Sequence, residues 1–121
     1  MKLLRNGLMN KEECLKIYIL LLEGMVEKSQ SKLEEALSKY AHLYHISGQC
    51  ENREEYIKDI LNGVLNYYDY QIISYSDKEF VVKLLAKVYS GSKSWWKLKM
   101  TSEFVFEDHK YKIISSKVTI A

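Results

Sequence analysis

Up to about Gly63 the apolar residues recur at helical spacing; from Val64 onward they alternate with polar ones. In the first half, Asn10 precedes Glu13 by three, Ser31 precedes Glu34 and Asn52 precedes Glu55. Each pair fits a capping box, in which the first side chain accepts from an orphan backbone N–H and the Glu reaches back to the cap's own N–H. A first helix is therefore predicted from Lys11 to Lys28. Leu15, Tyr18, Leu21, Leu22 and Met25 form its core stripe, and Ile17, Ile19 and Leu20 widen it. A short second helix carries Leu33, Ala36, Leu37 and Tyr40, and a third, after Asn52, carries Tyr56, Ile57, Ile60 and Leu61. Gly63 stands where a left-handed C-terminal cap is expected.

In the second half the period is two. "LNYYDYQIISY" is β-prone, and "EFVVKLLAKVY" sets Phe80, Val82, Leu84 and Ala86 against Val81, Lys83, Leu85 and Lys87. "SWWKLKMTSEFVF" sets Trp96, Leu98, Met100 and Phe104 against Trp95, Lys97, Lys99 and Glu103, and "YKIISSKVTI" closes the chain. The connectors "SDK", "SGSK" and "EDHK" suit antiparallel hairpins, and no proline interrupts a strand. One continuous α+β domain over residues 1–121 is the reading, in the order α-α-β-β-α-β-β-β-β, with residues 1–9 as a loosely attached extension.

Composition narrows the class without naming a function. With 47% apolar and 28% charged residues and a net charge of +2, the chain is an ordinary globular protein. That balance points to neither a nucleic-acid nor a membrane partner. The longest apolar run, Ile17 to Leu22, falls far short of the ~20 residues a membrane span needs. The start "MKLLRNGLM" lacks a signal-peptide core, and Cys14 and Cys50 form no CxxC pattern. A cytoplasmic protein with reduced thiols and no cofactor is expected. The ten tyrosines invite a stacking role on single-stranded nucleic acid, but Asp69, Asp77 and Glu79 break up any basic groove around them.

The stretch "HLYHISGQCEN" gathers two histidines and a cysteine. It reads as a small hairpin turning at Ser47-Gly48. On a strand the odd offset between His42 and His45 sends them to opposite faces, so they do not converge on one ion. Zinc wants three or four ligands, and His109 lies in the distant "EDHK" turn. No metal site is expected; one histidine is exposed and the other faces inward.

The order of elements, with "YHISGQCENREEYIKDILNGVLNYYDY" and "DHKYKII", resembles the nuclear transport factor 2-like superfamily, which includes SnoaL-like and ketosteroid isomerase-like proteins. Tyr111 stands where the family usually has Trp. The resemblance implies a curved antiparallel sheet wrapped around the first helix as a cone, and an apolar cavity used by family members for steroid-like, terpenoid or polyketide ligands. It also implies a homodimer through the outer sheet face. The residues are compatible with both, since the outer face mixes Val81, Leu85, Tyr89, Trp95 and Val105 with lysines.

Enzymes of this superfamily place acid–base groups inside the cone. Candidate pocket residues here are Tyr18, His45, Tyr67, Trp96, Met100 and Phe104, with Asp69 and His45 as catalytic candidates. Tyr67 and Asp69 share a face if the strand is regular, and a carboxylate beside a phenol and apolar walls would suit proton transfer. The alternate face, Tyr68, Tyr70 and Ile72, is more apolar, and if it is the buried one Asp69 is solvated. The epoxide hydrolases' Asp-Arg-Asp set finds no match, because the only arginines are Arg5 and Arg53. Three functions follow. The first is a pocket for an apolar or aromatic metabolite with no assignable reaction. The second is an isomerase, dehydratase or cyclase acting on a polycyclic or terpenoid-like substrate. The third is a dimerisation or protein-interaction module with a filled cone.

Overall fold

The computed structural model describes residues 2–3, 9–88 and 91–121. The expected loose extension lies partly outside these residues. Within them, Lys2–Leu3 form a short strand, β1, paired with Phe106 and Val105, and Met9 is buried.

Local chemistry starts and stops the helices. Helix α1 spans Lys11–Glu27; the Asn10 side chain accepts from the Glu13 amide at 2.9 Å, and Lys28 ends the helix at φ 53° in the left-handed region. Its buried face is Cys14, Tyr18, Leu21, Leu22, Gly24 and Met25. Helix α2, Gln30–Ala36, is capped by Ser29, whose hydroxyl accepts from the Lys32 amide, so Ser31 lies inside the helix rather than at its cap. Helix α3, Arg53–Leu61, has the full capping box between Asn52 and Glu55, and Gly63 follows it at φ 72°.

The second helix is shorter than its apolar stripe suggested. Leu37 is extended (ψ 134°) and opens strand β2, Leu37–Tyr44, which also takes Tyr40. A helix this short gains little on its own. Sheet pairing buries Leu37 beside Ile113, and Ala41 and Leu43 inside the fold.

Strands β3 (Cys50–Asn52), β4 (Leu65–Tyr75), β5 (Glu79–Val88), β6 (Ser94–Glu107) and β7 (Lys110–Ile120) complete one sheet in the order β3-β2-β7-β6-β5-β4. The sheet is mixed rather than wholly antiparallel: β2 runs parallel to β7, while every other pair is antiparallel. β2 is separated from β7 by a hairpin, α3 and three strands, a connection long enough for parallel pairing.

Phe80, Val82, Leu84, Leu98, Met100 and Phe104 turn inward against α1. Tyr18 lies 3.8 Å, centroid to centroid, from Phe80 and meets Phe104 edge-on at 6.0 Å. Gly24 lets α2 come close, because a Cβ there would lie 2.8 Å from Leu33 Cγ.

Irregular pairing decides which β4 side chains face inward. Tyr67 pairs with Ala86 and Asp69 with Leu85, so Tyr68 is an extra residue; Ile73 is extra in the same way between Ile72 and Ser74. Tyr67, Tyr70, Ile72 and Tyr75 thus pair with the inward Ala86, Leu84, Val82 and Phe80, while Asp69 and Ser74 pair with the outward Leu85 and Val81.

Candidate functional site

The β2–β3 hairpin is pinned by bonds from the His45 amide to Gln49 O (2.9 Å) and from the Gly48 amide to His45 O (2.8 Å), with Gly48 at φ 88°. In the ladder, Leu43 is opposite Glu51 and Tyr44 opposite Cys50. Leu43 and Glu51 face inward, whereas His42 and Cys50 are exposed. His45 leaves the end of β2 and returns to the inside, where its Nε2 bonds the Glu51 carboxyl. Its ring lies 5.9 Å from that of Tyr56.

The carboxyl of Glu51 sits in a strained electrostatic position. Burial first, then the hydrogen bond and charge of Asp59 on α3, push its pKa up, and His45 opposes both. The same carboxylate acts on two phenols. Burial, with the Glu51 charge behind it, pushes Tyr67 up to about 12, and Tyr56 is held well above its ordinary value by burial, Tyr67 and Glu51. Both phenols therefore remain protonated donors over the physiological range. The imidazole, being bonded at Nε2 to a carboxyl, is left with Nδ1 as its other nitrogen for acid–base use.

These groups border a cavity of about 190 Å³ inside the cone. Its inner wall is Met25, Leu84, Leu98, Met100 and Ser116, all buried. Tyr56, Tyr67 and His45 contribute its aromatic side, and the exposed Tyr44, Ile46 and Ser47 form the rim. A wider, open groove of about 460 Å³ lies outside the cone near the start of α1. Its polar lining includes Glu13, Lys16, His109, Glu35 and Lys110, the last two paired with each other at 3.4 Å.

Of the residues singled out from sequence, His45, Tyr67 and Met100 border the cavity. Tyr18 and Phe104 are buried in the aromatic packing next to it. Trp96 has inward parity but is 41% exposed, in a run of exposed residues at the start of β6, and does not line the cavity. Asp69 does not share a face with Tyr67, because the bulge at Tyr68 turns it outward; it is exposed and its Oδ1 accepts from the Tyr70 amide at 2.8 Å. Glu51, Asp59, Tyr56 and Ser116 were missed. Glu51 was within reach of sequence reasoning, since a hairpin turning at Ser47-Gly48 sets it opposite the apolar, inward Leu43. Among the described residues, no three His, Cys, Asp or Glu side chains are placed to hold a metal ion, and no helix is long and apolar enough to cross a membrane.

No family model and no curated protein matches the chain. Solved structures do. An NTF2-like protein of unknown function from Prochlorococcus marinus superposes with a TM-score of 0.74 at 16% identity, covering 91% of each chain. An LEH-like epoxide hydrolase from M. tuberculosis gives 0.71 at 8% identity, over 92% of this chain and 84% of that one. A protein described as a Ca/calmodulin-dependent kinase II association domain, from Exiguobacterium sibiricum 255-15, gives 0.66 at 11% identity, over 91% and 92%. These neighbours include an enzyme, an association domain and a protein of unknown function, so what they share is architecture. The three helices, the curved mixed sheet and the interior beside α1 give this chain the α+β cone fold of the nuclear transport factor 2-like proteins.

Proposed function

We propose that this domain holds one small, mostly apolar molecule in the cone. The carrying observation is the cavity of about 190 Å³ with an apolar inner wall and a few polar tips. Its size limits the occupant. A cavity of about 150 Å³ accepts benzene, while pockets for drug-sized ligands run about 300–1,000 Å³. The ligand class is therefore a single ring or its aliphatic equivalent, smaller than the steroid-like and polyketide ligands of the superfamily. Titration with monocyclic aromatics, followed by amide chemical-shift changes, tests the reading. Shifts confined to residues around Leu84, Met100 and Ser116 are expected; shifts scattered over the surface would refute it.

A second reading is favoured by the His45–Glu51 bond: acid–base chemistry on the bound molecule, with His45 as the proton acceptor and Glu51 orienting it. Under this reading Glu51→Gln lowers turnover far more than ligand affinity; equal losses in both would refute the orienting role of Glu51.

For partners, the reading is a second copy of the chain docked on the outer sheet face. There Val81 and Leu85 are half-buried and Trp95 is 44% exposed, ringed by Lys83, Lys97 and Lys99. Light scattering of wild type and Trp95→Glu tests it: a dimer that dissociates on substitution is expected, and a monomeric wild type would end it. A reducing cytoplasm is the compartment that suits a buried Cys14 and an exposed, unpaired Cys50.

A further inference from the structure

Exposed apolar side chains gather at one end of the sheet. The ladder brings the strand ends together there. β2 ends beside the end of β7 (Tyr44 opposite Lys117), and β7 ends beside the start of β6 (Ile120 opposite Leu98). β6 starts beside the end of β5 (Ser94 opposite Ala86), and β5 ends beside the start of β4 (Val88 opposite Leu65). Ile46, Val64 and Ile120, each more than half exposed, lie at this end with the exposed Trp96 and Leu61. The mouth of the inner cavity is at the same end, with Ile46 on its rim and Leu98 and Val118 on its wall. Trp96 and Ile120 stand two residues outward of Leu98 and Val118 on the same face of their strands, so the apolar lining runs out through the mouth into solvent. Single exposed apolar residues are ordinary, but a gathered patch with a polar border marks a surface that meets a partner.

The border is basic. The overall charge balance conceals a stretch that carries Lys83, Lys87, Lys93, Lys97 and Lys99 with no acidic residue between Glu79 and Glu103. Lys99 pairs with Glu79, whereas Lys83 and Lys97 stand directly opposite one another, like charge against like. Lys93 lies just before β6 with its ammonium 4.0 Å from the ring centroid of Tyr68, and the exposed Lys58 adds a charge from the last turn of α3. Of the acids on the neighbouring elements, Asp69 faces outward and Asp59 is half-buried.

An occupant must accept aliphatic side chains, an indole and ammonium groups together. Single-stranded nucleic acid uses aromatic rings as stacking platforms, and Ile46, Val64 and Ile120 offer none. A second copy docked end to end by two-fold symmetry brings two lysine borders against each other. A bilayer with anionic headgroups suits all three kinds of group: aliphatic side chains enter the acyl boundary, the indole rests at headgroup level and the lysines meet the anions. We propose that this end of the cone docks on the surface of an anionic lipid bilayer, without crossing it, so that the cavity mouth opens against the acyl layer.

The experiment sediments the full chain with vesicles of phosphatidylcholine alone or mixed with phosphatidylserine, and follows tryptophan emission. Wild type is expected to bind the mixed vesicles at low salt, with emission moving to shorter wavelength, and to bind phosphatidylcholine far more weakly. Added salt should weaken binding, because it screens the headgroup charge. Lys58→Gln and Lys93→Gln should each cost about fivefold in affinity. Ile120→Ser and Val64→Ser should each cost about tenfold. Ile73→Ser, at another exposed apolar site toward the far end of β4, should leave affinity unchanged. All of these side chains are exposed, so a melting temperature close to that of wild type confirms that each variant is folded. No sedimentation with mixed vesicles, or equal losses for Ile120→Ser and Ile73→Ser, would overturn the docking. So would binding of a single-stranded oligonucleotide, or self-association, that depends on Ile120 while vesicles go unbound. None of these results touches the cavity reading, which is tested with monocyclic ligands in the absence of lipid.

Discussion

Leu84→Ala puts the cavity itself to the test. Leu84 is 2% exposed, sits between Tyr70 and Trp96 in the ladder and forms part of the inner wall. Truncation removes three carbons, which at about 0.8 kcal/mol each forfeits about 2.4 kcal/mol of transfer free energy. The side chain vacates roughly 70 Å³, and at about 24 cal/mol per Å³ the enlarged void adds about 1.7 kcal/mol. The expected loss is about 4 kcal/mol, toward the upper part of the range for such substitutions, because a wall that already borders empty space has little to collapse onto. That is within the 5–15 kcal/mol of a typical domain, so the variant still folds, with a melting temperature lower by roughly 10–20 °C. The void grows to roughly 260 Å³, enough for two fused rings on the scale of about 150 Å³ for one. Naphthalene should therefore bind the variant and not wild type, restoring about 2.7 kcal/mol at a hundred times its dissociation constant. Urea melts with and without naphthalene provide the measurement. A loss under 1 kcal/mol, or equal rescue of wild type by naphthalene, would refute the cavity geometry.

Gly24→Ala opposes helix propensity to packing. Alanine gains about 1 kcal/mol in a helix interior, but its Cβ would lie 2.8 Å from Leu33 Cγ and 3.2 Å from the Leu33 amide nitrogen, and Leu33 is wholly buried. Overpacking costs about 1–3 kcal/mol, so the urea midpoint should fall; a rise would mean that α2 shifts freely. Asp69→Asn should change stability by less than about 0.5 kcal/mol and leave probe affinity unaltered in titration, because its side chain faces solvent and the Asn oxygen keeps the bond to the Tyr70 amide. For Glu107, burial alone would raise the pKa, but the Ser38 hydroxyl, the Lys39 amide and the Lys112 and Lys39 charges overcome it and hold it below its ordinary 4.5. A lowered carboxyl stabilises the fold above its unfolded pKa and ceases to as pH falls through the folded one. Glu107→Gln should thus lose stability near neutrality and show a flatter acid limb in denaturation curves from pH 6 to 2. An acid limb as steep as that of wild type would contradict this.

The elements most legible in the chain are those set by neighbours in sequence. The Asn10 and Asn52 caps, Gly63, and the switch to period two near Val64 act through atoms a few residues apart. Strand β4 was delimited from Leu65 to Tyr75, yet its inward face could be read either way. The structure uses both readings in turn, Tyr67 first and then Tyr70 and Ile72, because two extra residues are expelled where β4 pairs with β5. A bulge is a property of two strands and of the curvature they share, and β4 alone does not encode it. The second helix ended early for a similar reason, Leu37 being claimed by Ile113 far along the chain.

The candidate site divides along the same line. His45 and Tyr67 were recognisable as polar tips among apolar neighbours, whereas Glu51 was missed although the hairpin register sets it opposite the inward Leu43. Sequence patterning supplied three helices and alternating strands with one apolar face, since alternation and capping are short-range and additive, while the cone was what the family resemblance implied. The cavity's volume, the outward turn of Asp69 and the overhang of Trp96 came only with the packed fold. Each is a small difference between large volumes and surfaces brought together from distant parts of the chain, and such differences exist only once all the strands are in place.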